Sequence, residues 1–164
     1  MGRLILLLGG NEGDPKKTFS SAYSLLTEEV GDIKDHSSFY ESEPWGFEAE
    51  QNFINQVIEI TTSLAPSEVL SVTQGIEKKL GRKLKTGNGY SSRIIDIDIL
   101  FYDDQLIDIP GLTIPHPRLH LRLFTLLPLT EKWDDLIHPV SKKTIKQLLE
   151  ECTDSAWVRK TELP

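Results

Sequence analysis

Two aspartates stand two residues apart in an apolar stretch, and their spacing makes them the first candidates for chemistry in this sequence. The stretch is RIIDIDIL, residues 93–100, in which Asp96 and Asp98 alternate with isoleucines. Because side chains alternate across a β-strand, the two carboxylates would share one face, about 6–7 Å apart. The residues expected to face the core are Ile95, Ile97 and Ile99. Two carboxylates at this spacing suit Mg²⁺ that arrives with nucleotide phosphates, and the alternative is a half-buried strand with a solvated outer face.

Basic residues precede this strand, and no acidic residue interrupts them. They are Lys78, Lys79, Arg82, Lys83, Lys85 and Arg93. Guanidinium groups next to metal-bound carboxylates can share the negative charge of a phosphoryl group in transit. We therefore predict that Arg82 and Arg93 are catalytic. We assign Lys78, Lys79 and Lys83 to a solvated helix end, where cations are favoured.

Two further stretches carry side chains that suit a nucleotide or a flat heterocycle. Phe53 and Asn55 would share a strand face, where a ring and an amide can bind such a heterocycle, although a strand aromatic is often a core residue. In TIPHPRLHLRLF, His116 and Arg122 are candidate phosphate contacts, and a solvated helix start is the alternative. The stretch GGNEGD matches neither common phosphate-loop pattern and indicates a tight strand-to-helix turn.

The hydrophobic pattern predicts the order β-α-β-β-α-β followed by a helical tail. The predicted strands are RLILLLGG, a polar strand around residues 32–42, NFINQVIEITTSL and the aspartate-bearing stretch. The predicted helices are DPKKTFSSAYSLLTEEVG with Asp14 as N-cap, APSEVLSVTQGIEKKLG with Gly81 as C-cap, one opening after Pro117, and SKKTIKQLLEECT. This order is typical of the ferredoxin-like α+β fold, in which both main helices cover one face of an antiparallel sheet and the other face is free.

Length, charge and composition exclude several classes of protein. At 164 residues with 38% hydrophobic and 26% charged residues, the chain is expected to form one domain, residues 1–164. A formal net charge of -7 argues against a nucleic-acid partner. The single Cys152 can form no internal disulfide and excludes a cysteine-rich metal site. LILLL is far too short to span a membrane, so we expect a cytoplasmic protein without a membrane partner. We also expect a monomer.

Several stretches, in order along the chain, resemble the 6-hydroxymethyl-7,8-dihydropterin pyrophosphokinase family. They are GGNEGD, SSFYESEPWG, NFINQVIEITTSLAP, TQGIEKKLGR, RIIDIDIL, TIPHPRLHLRLF and LLPL, which fall between residues 4 and 129. The combination of RIIDIDIL with PHPR downstream is the most specific of them. The resemblance implies an enzyme of folate biosynthesis that transfers diphosphate from ATP to a pterin alcohol.

The resemblance also implies a role for individual residues. Asp96 and Asp98 would bind two Mg²⁺ between the ATP phosphates and the pterin hydroxyl, and Arg82 and Arg93 would stabilise the migrating group. The residues implied to contact ATP are Gln74, Glu77, Tyr90, Ile99, His116 and Arg122. The residues implied to hold the pterin are Ser42, Glu43, Trp45, Phe53, Asn55 and Phe124, with the two phenylalanines on either side of the ring. The loops at 43–52 and 83–92 are implied to close over the substrates.

The implied mechanism is a direct in-line attack of the pterin hydroxyl on the β-phosphorus of ATP, with AMP leaving. No covalent intermediate is required, because positioning and charge neutralisation would carry the reaction. Two alternatives remain: a Mg²⁺-dependent phosphohydrolase that uses the same aspartates on water, and a non-catalytic module that binds RNA or a nucleotide on a free sheet face. Residues 130–164 show no recognisable chemistry, and their tryptophans and Cys152 are expected to pack.

Overall fold

The computed structural model describes residues 1–44, 51–81 and 94–163 of the chain. The strands are β1 (Gly2–Gly10), β2 (Gly31–His36), β3 (Phe39–Ser42), β4 (Phe53–Thr62), β5 (Asp96–Tyr102), β6 (Ile107–Ile109), β7 (Leu112–Ile114) and β8 (Val158–Thr161). The α-helices are α1 (Pro15–Glu29), α2 (Pro66–Lys79), α3 (Leu123–Lys132) and α4 (Ile145–Glu151), and a 3₁₀-helix covers Leu119–Leu121. None of the helices in these ranges is long and apolar enough to cross a membrane.

The main sheet is antiparallel throughout, with strand order β5-β1-β4-β3-β8, and β2 also pairs with β4. Strands β6 and β7 form a separate two-stranded hairpin. The apolar run of β1 lies between two neighbours, and its residues Leu4–Leu8 are buried. Both faces of this strand are buried by other parts of the protein, and this explains why its sequence, LILLL, is hydrophobic without interruption.

Two hydrophobic cores provide this burial, one on each face of the sheet. On the first face, Leu4, Leu6 and Leu8 of β1 pack with buried residues of α1 and α2. On the second face, Ile5 and Leu7 pack with the 3₁₀-helix, α3 and α4. The expectation of a free second face is therefore wrong, because the apolar residues of β1 alternate onto both sides and both must be buried.

The single strand expected around residues 32–42 is two strands, β2 and β3, and Ser37 lies at the break between them. The Ser37 backbone N–H donates to the Val57 carbonyl at 2.8 Å, while the Ser37 hydroxyl accepts from the Val57 N–H at 3.0 Å. A side-chain oxygen thus takes the acceptor position that a strand carbonyl would occupy, which interrupts the ladder. Both strands still pair with β4.

The helix boundaries predicted from capping residues are confirmed, whereas the helix start predicted after Pro117 is wrong. Asp14 caps α1 by accepting the Lys16 and Lys17 N–H groups at 3.1 and 3.4 Å. Gly81, predicted as the C-cap of α2, lies one residue beyond the C-cap Leu80, with φ of 98°. The helix expected after Pro117 begins instead at Leu123, after the short 3₁₀-helix. The tail is only partly helical, since it ends in β8, which pairs with β3.

A carboxylate of α3 ties that helix to the sheet. Glu131 accepts hydrogen bonds from the Ser38 N–H at 3.0 Å, the Ser38 hydroxyl at 2.7 Å and the Tyr40 hydroxyl at 2.7 Å. Burial alone would raise the pKa of Glu131, but the hydrogen bonds from Tyr40 and Ser38 outweigh it and hold that pKa below its ordinary value. Burial raises the pKa of Tyr40, so its hydroxyl remains a donor at neutral pH.

We predict that Glu131→Gln lowers the free energy of unfolding by about 1–2 kcal/mol at pH 7, since a charged acceptor is lost from several hydrogen bonds. Because the folded-state pKa lies below the unfolded value, this contribution is complete above about pH 4.3 and is lost as the pH falls further. Urea unfolding of both proteins at several pH values measures it. Glu150→Gln, an exposed position on α4, is the control, and equal losses in the two variants would refute the assignment.

Candidate functional site

One cross-strand row brings together side chains from three strands of the sheet. Gly9 of β1 stands opposite Asp96 of β5 on one side and opposite Asn55 of β4 on the other. Asn55 in turn stands opposite Tyr40 of β3. Directly opposite residues of antiparallel strands point to the same face. Asp96 and Asn55 therefore share one face of the sheet, with only a glycine between them.

The two aspartates point to the face that α3 covers. Asp98 stands opposite Leu7, which belongs to the second core. Both aspartate side chains are partly exposed. The prediction for the isoleucines is confirmed, because the side chains of the first core include Ile95, Ile97 and Ile99. The alternation that buries the isoleucines thus directs both carboxylates to the opposite face.

Gly9 makes room for the Asn55 side chain. A Cβ atom at Gly9 would overlap the Asn55 amide nitrogen, so that amide lies over the β1 backbone at this point. Asn55 is 5% exposed. A glycine inside a strand often marks such a close approach. The sequence predicts RLILLLGG as a strand and GGNEGD as a turn, and Gly9 belongs to both stretches. Only its pairing with Asn55 shows that its missing side chain makes room for the amide.

Other residues expected to hold the pterin lie at the same end of β3 and β4. Phe53 stands opposite Ser42, two residues before Asn55, and both residues therefore point to the same face as Asn55. Ser42 is buried and Phe53 is half-buried. Glu43 follows the end of β3 and is exposed. These side chains extend the row of Asp96 and Asn55 toward the edge of the sheet.

The residues before and within the first turn of α3 form a second group. The Arg122 guanidinium carbon lies 5.0 Å from the centre of the Phe124 ring. The Arg122 Nη2 atom lies 3.3 Å from Nε2 and 3.4 Å from Nδ1 of His116. The 3₁₀-helix between them turns the chain so that Arg122 returns to His116, which a continuous helix from Pro117 would not have done. The structure therefore brings together three predicted substrate contacts.

His116 is neutral at physiological pH in this arrangement. Burial, together with the charges of Arg122 and Arg118, lowers the pKa of His116 to about 4. The Arg118 N–H donates to Nδ1 of His116 at 3.1 Å, so Nδ1 is the acceptor and the ring proton belongs on Nε2. A neutral imidazole with Nε2–H is a hydrogen-bond donor, which suits a contact with a phosphate or a ribose.

The helix α2 contributes residues that were predicted to contact ATP. Glu77 is 4% exposed, and its carboxylate accepts the Ile97 N–H at 2.7 Å, between the two aspartates of β5. This hydrogen bond fixes α2 against the edge strand. Gln74 is exposed one turn earlier on the same helix. The Ile99 side chain lies in the first core, so it is not directed to the aspartate face.

Four of the predicted site residues lie outside the described residues. They are Trp45, Arg82, Tyr90 and Arg93. Most of the loops at 43–52 and 83–92, which were predicted to close over substrates, lie outside them as well. Among residues 1–44, 51–81 and 94–163, no group of three or more His, Cys, Asp or Glu side chains is placed to hold a metal ion.

A pocket of about 280 Å³ lies away from the aspartates, on the face that carries α1. Its lining includes Asn11, Phe19, Ile54 and Leu163. Phe19, Ile54 and Leu163 belong to the first core or pack against it, whereas Asp96 and Asn55 point to the other face. Within the described part of the chain, this pocket includes none of the predicted site residues, so its volume does not define the site.

Comparison with known families identifies the chain. The family model described as 7,8-dihydro-6-hydroxymethylpterin-pyrophosphokinase (HPPK) matches residues 5–133. The chain belongs to the HPPK family. It is a pyrophosphokinase of folate biosynthesis, an enzyme that transfers pyrophosphate from ATP. The matched region contains every predicted site residue.

Curated relatives carry the name 2-amino-4-hydroxy-6-hydroxymethyldihydropteridine pyrophosphokinase. One from Aquifex aeolicus is 41% identical over 153 residues, which cover 93% of this chain and 94% of the relative. One from Porphyromonas gingivalis is 41% identical over 133 residues, covering 80% and 90%, and one from Bacillus subtilis is 40% identical over 127 residues, covering 77% and 75%. These matches show the same family along most of the chain.

Solved structures support the fold. A Plasmodium falciparum HPPK-DHPS triple mutant with STZ-DHP superposes with a TM-score of 0.76 at 18% identity. The match covers 92% of this chain and 43% of that chain. The HPPK-DHPS complex with substrates gives a TM-score of 0.76 at 14% identity, covering 91% and 43%. The chain thus spans less than half the length of these solved proteins and shares with them an α+β fold with an antiparallel sheet.

We predict that the His116 ring stays neutral down to about pH 4. Its folded-state pKa lies below the unfolded value of about 6.5, so its contribution to stability is complete above that value and is lost as the pH falls toward 4. Long-range ¹⁵N–¹H NMR of the ring nitrogens measures the midpoint, and His116→Gln assigns the signals. A midpoint near 6.5 would contradict the buried position against two arginines.

Proposed function

We propose that this chain transfers diphosphate from ATP to 6-hydroxymethyl-7,8-dihydropterin, with attack of the pterin hydroxyl on the β-phosphorus. The oxygen–phosphorus bond to the pterin forms as the bond to the α-phosphate oxygen breaks, and AMP leaves. The observation that carries this proposal is the shared face of Asp96, Asp98 and Asn55. The second core places α3 over that face, and Arg122 and Phe124 lie at its N-terminal end.

Asp96 and Asp98 are the residues that would hold Mg²⁺, and the donor set fits that ion. Mg²⁺ is commonly bound through one or two carboxylates and keeps other positions for water and substrate phosphates. Two partly exposed carboxylates on one strand face provide such an open site. Bound with ATP, two Mg²⁺ ions would neutralise phosphate charge and lower the pKa of the pterin hydroxyl.

The remaining residues bind and orient the two substrates. Asn55 would donate and accept hydrogen bonds at the edge of the pterin, while Phe53 and Phe124 stack on its faces. On the ATP side, Arg122 and the neutral His116 supply donors to the phosphates. One of the two aspartates would accept the proton of the pterin hydroxyl during attack. Catalysis then depends on positioning and charge, as expected for phosphoryl transfer.

Further contributions come from residues outside the described part of the chain and from residues on α2, on β5 and at the end of β3. Arg82 and Arg93 would stabilise the migrating diphosphoryl group. Gln74 and Glu77 on α2, with Tyr90 and the backbone of Ile99, would complete the ATP side. Ser42, Glu43 and Trp45 would complete the pterin side. We further propose that the main sheet, with α1 and α2 on one face, follows the ferredoxin-like plan, since β5-β1-β4 and then β2 or β3 lie side by side.

The two alternative functions have less support from the geometry. RNA-binding modules of this class present aromatic side chains on an open sheet face. Here the second face carries two carboxylates, and α3 and α4 cover much of the rest. A phosphohydrolase would use the same aspartates, but it would not require Asn55 to share their face. The juxtaposition of the amide with the carboxylates therefore favours a heterocyclic acceptor.

We predict that Asp96→Asn and Asp98→Asn each lower the rate of AMP formation about 10³-fold or more, because charge stabilisation at a phosphoryl group is lost. AMP is measured by chromatography with ATP, Mg²⁺ and the hydroxymethyl pterin. Asp104→Asn, an exposed position just after β5, should retain normal activity. Near-normal AMP formation by either site variant would refute the metal assignment, and phosphate release without pterin would favour the hydrolase.

We predict that Gly9→Ala weakens pterin binding about 10-fold or more while ATP binding is retained, because the new methyl group displaces the Asn55 amide. A double-mutant cycle with Asn55→Ala isolates the mechanism. If Gly9 acts through Asn55, adding Gly9→Ala to Asn55→Ala has no further effect on pterin binding. Additive losses would show that Gly9 acts by another route. Calorimetric titration of each ligand measures both affinities.

A further inference from the structure

The C-terminal segment returns to the site after the family match has ended. The family model covers residues 5–133, whereas α4, β8 and the linker between them lie beyond it. Strand β8 pairs with β3 so that Val158 stands opposite Ser42. In the linker, Asp154 contacts the first turn of α3. A segment in which the sequence shows no chemistry therefore contacts two elements that carry predicted substrate contacts.

The first turn of α3 receives its cap from this segment. The first N–H groups of a helix have no acceptor within the helix. Arg122 occupies the N-cap position and makes no side-chain capping bond. The Asp154 carboxylate supplies an acceptor from 31 residues downstream, with its Oδ2 atom 3.0 Å from the Leu123 nitrogen. A negative charge at a helix N-terminus is also favoured by the helix dipole.

Asp154 is itself held in a defined position. Its second carboxylate oxygen, Oδ1, accepts the Ala156 N–H at 2.9 Å. This local bond orients the carboxylate just before the chain enters β8. Because β8 is anchored on β3 by pairing, the carboxylate is connected to the main sheet as well as to α3. Asp154 therefore fixes the start of α3 relative to the strand that carries Ser42.

The capped residue lies between two predicted substrate contacts. Arg122 directly precedes Leu123, and Phe124 directly follows it. The Arg122 guanidinium packs over the Phe124 ring and lies within 3.4 Å of both His116 ring nitrogens, so the three side chains depend on the same turn. A misplacement of about 1 Å in a substrate-positioning group can lower a rate about 100-fold. A shift of this turn would therefore move Arg122 and Phe124 together.

We propose that Asp154 is a positioning residue for diphosphate transfer: its carboxylate holds Leu123, and through it Arg122 and Phe124, at the site. This proposal rests on the proposed function, because it assigns the two neighbours to ATP and the pterin. Asp154 touches neither substrate. It acts through the backbone of α3, so the C-terminal segment helps to position the substrate-binding side chains.

The test compares Asp154→Ala with Thr144→Ala, which removes the corresponding N-cap of α4. The Thr144 hydroxyl accepts the Gln147 N–H at 3.1 Å, and α4 contains no predicted site residue. Both variants are assayed for AMP formation at a temperature where unfolding curves show full folding. We expect Asp154→Ala to lose about 10- to 100-fold in kcat/KM with a raised KM for the pterin, while Thr144→Ala stays within about twofold of wild type.

The KM distinguishes positioning from stability. Partial unfolding lowers the concentration of active enzyme and hence the apparent kcat, but it leaves KM unchanged. Asp154→Asn should restore most of the activity, because the amide oxygen accepts the same hydrogen bond and Asn caps about as well as Asp. Should Asp154→Ala fail to fold, Asp154→Glu, which moves the carboxylate by one methylene, should show the raised KM.

Three results would overturn the proposal. Asp154→Ala with wild-type kcat/KM and KM would show that the cap does not position the turn. An equal loss in Thr144→Ala would show a general effect of stability. A wild-type protein that forms no AMP from ATP, Mg²⁺ and hydroxymethyl pterin would overturn the proposed function and this proposal with it, so the two failures are distinguished in one experiment.

Discussion

The pairing of β1 with both β4 and β5 determines which side chains of the sheet can meet. Gly9 stands opposite Asn55 on one side and Asp96 on the other, which places an amide and a carboxylate on one face. A slip of β5 by one residue would move its aspartates to the first core and its isoleucines to the second face. The hydrophobic core and the site are therefore specified by the same register.

Magnitudes show how firmly that register is held. Burying an isoleucine side chain contributes about 1.5–3 kcal/mol relative to leaving it exposed. The two buried isoleucines of β5, together with Ile95 just before it, are thus comparable with the total stability of a typical domain, about 5–15 kcal/mol. The slip would also bury the aspartate carboxylates among leucines without a partner for their charge, which costs further free energy. The aspartates need no interaction of their own to be directed outward, because the isoleucines beside them decide it.

The features that could be predicted from sequence are those set within a few residues. The alternation in RIIDIDIL gave both the buried isoleucines and the common face of the aspartates, and the Asp14 cap and Gly81 followed from local backbone requirements. The features that could not be predicted depend on contacts distant in sequence. Ser37 interrupts its strand through Val57, and α3 begins at Leu123 where Asp154 caps it. The sequence pattern around Ser37 does not contain Val57, and the pattern around Pro117 does not contain Asp154.

The role of Gly9 and the covered second face were missed for the same reason. A glycine in an apolar strand is locally ambiguous, and only the pairing with β4 shows that the space above it belongs to Asn55. Likewise, the continuous run LILLL indicates burial on both faces, but its second cover comes from α3 and α4, more than a hundred residues away. The sequence motifs indicate which chemistry the site can perform, whereas contacts between residues distant in sequence determine how the site residues are arranged.

The helix α3 connects the packing of the fold to the chemistry of the site. Its buried residues Leu126 and Leu129 belong to the second core, so hydrophobic burial places the helix over the aspartate face. Two carboxylates add directional hydrogen bonds to this hydrophobic packing. Glu131 binds Ser38 and Tyr40 near one end of α3, and Asp154 binds the backbone at the other. The cover that the sheet requires for hydrophobic reasons is thereby fixed at both ends, and the end that Asp154 holds is the one that carries the substrate-binding side chains.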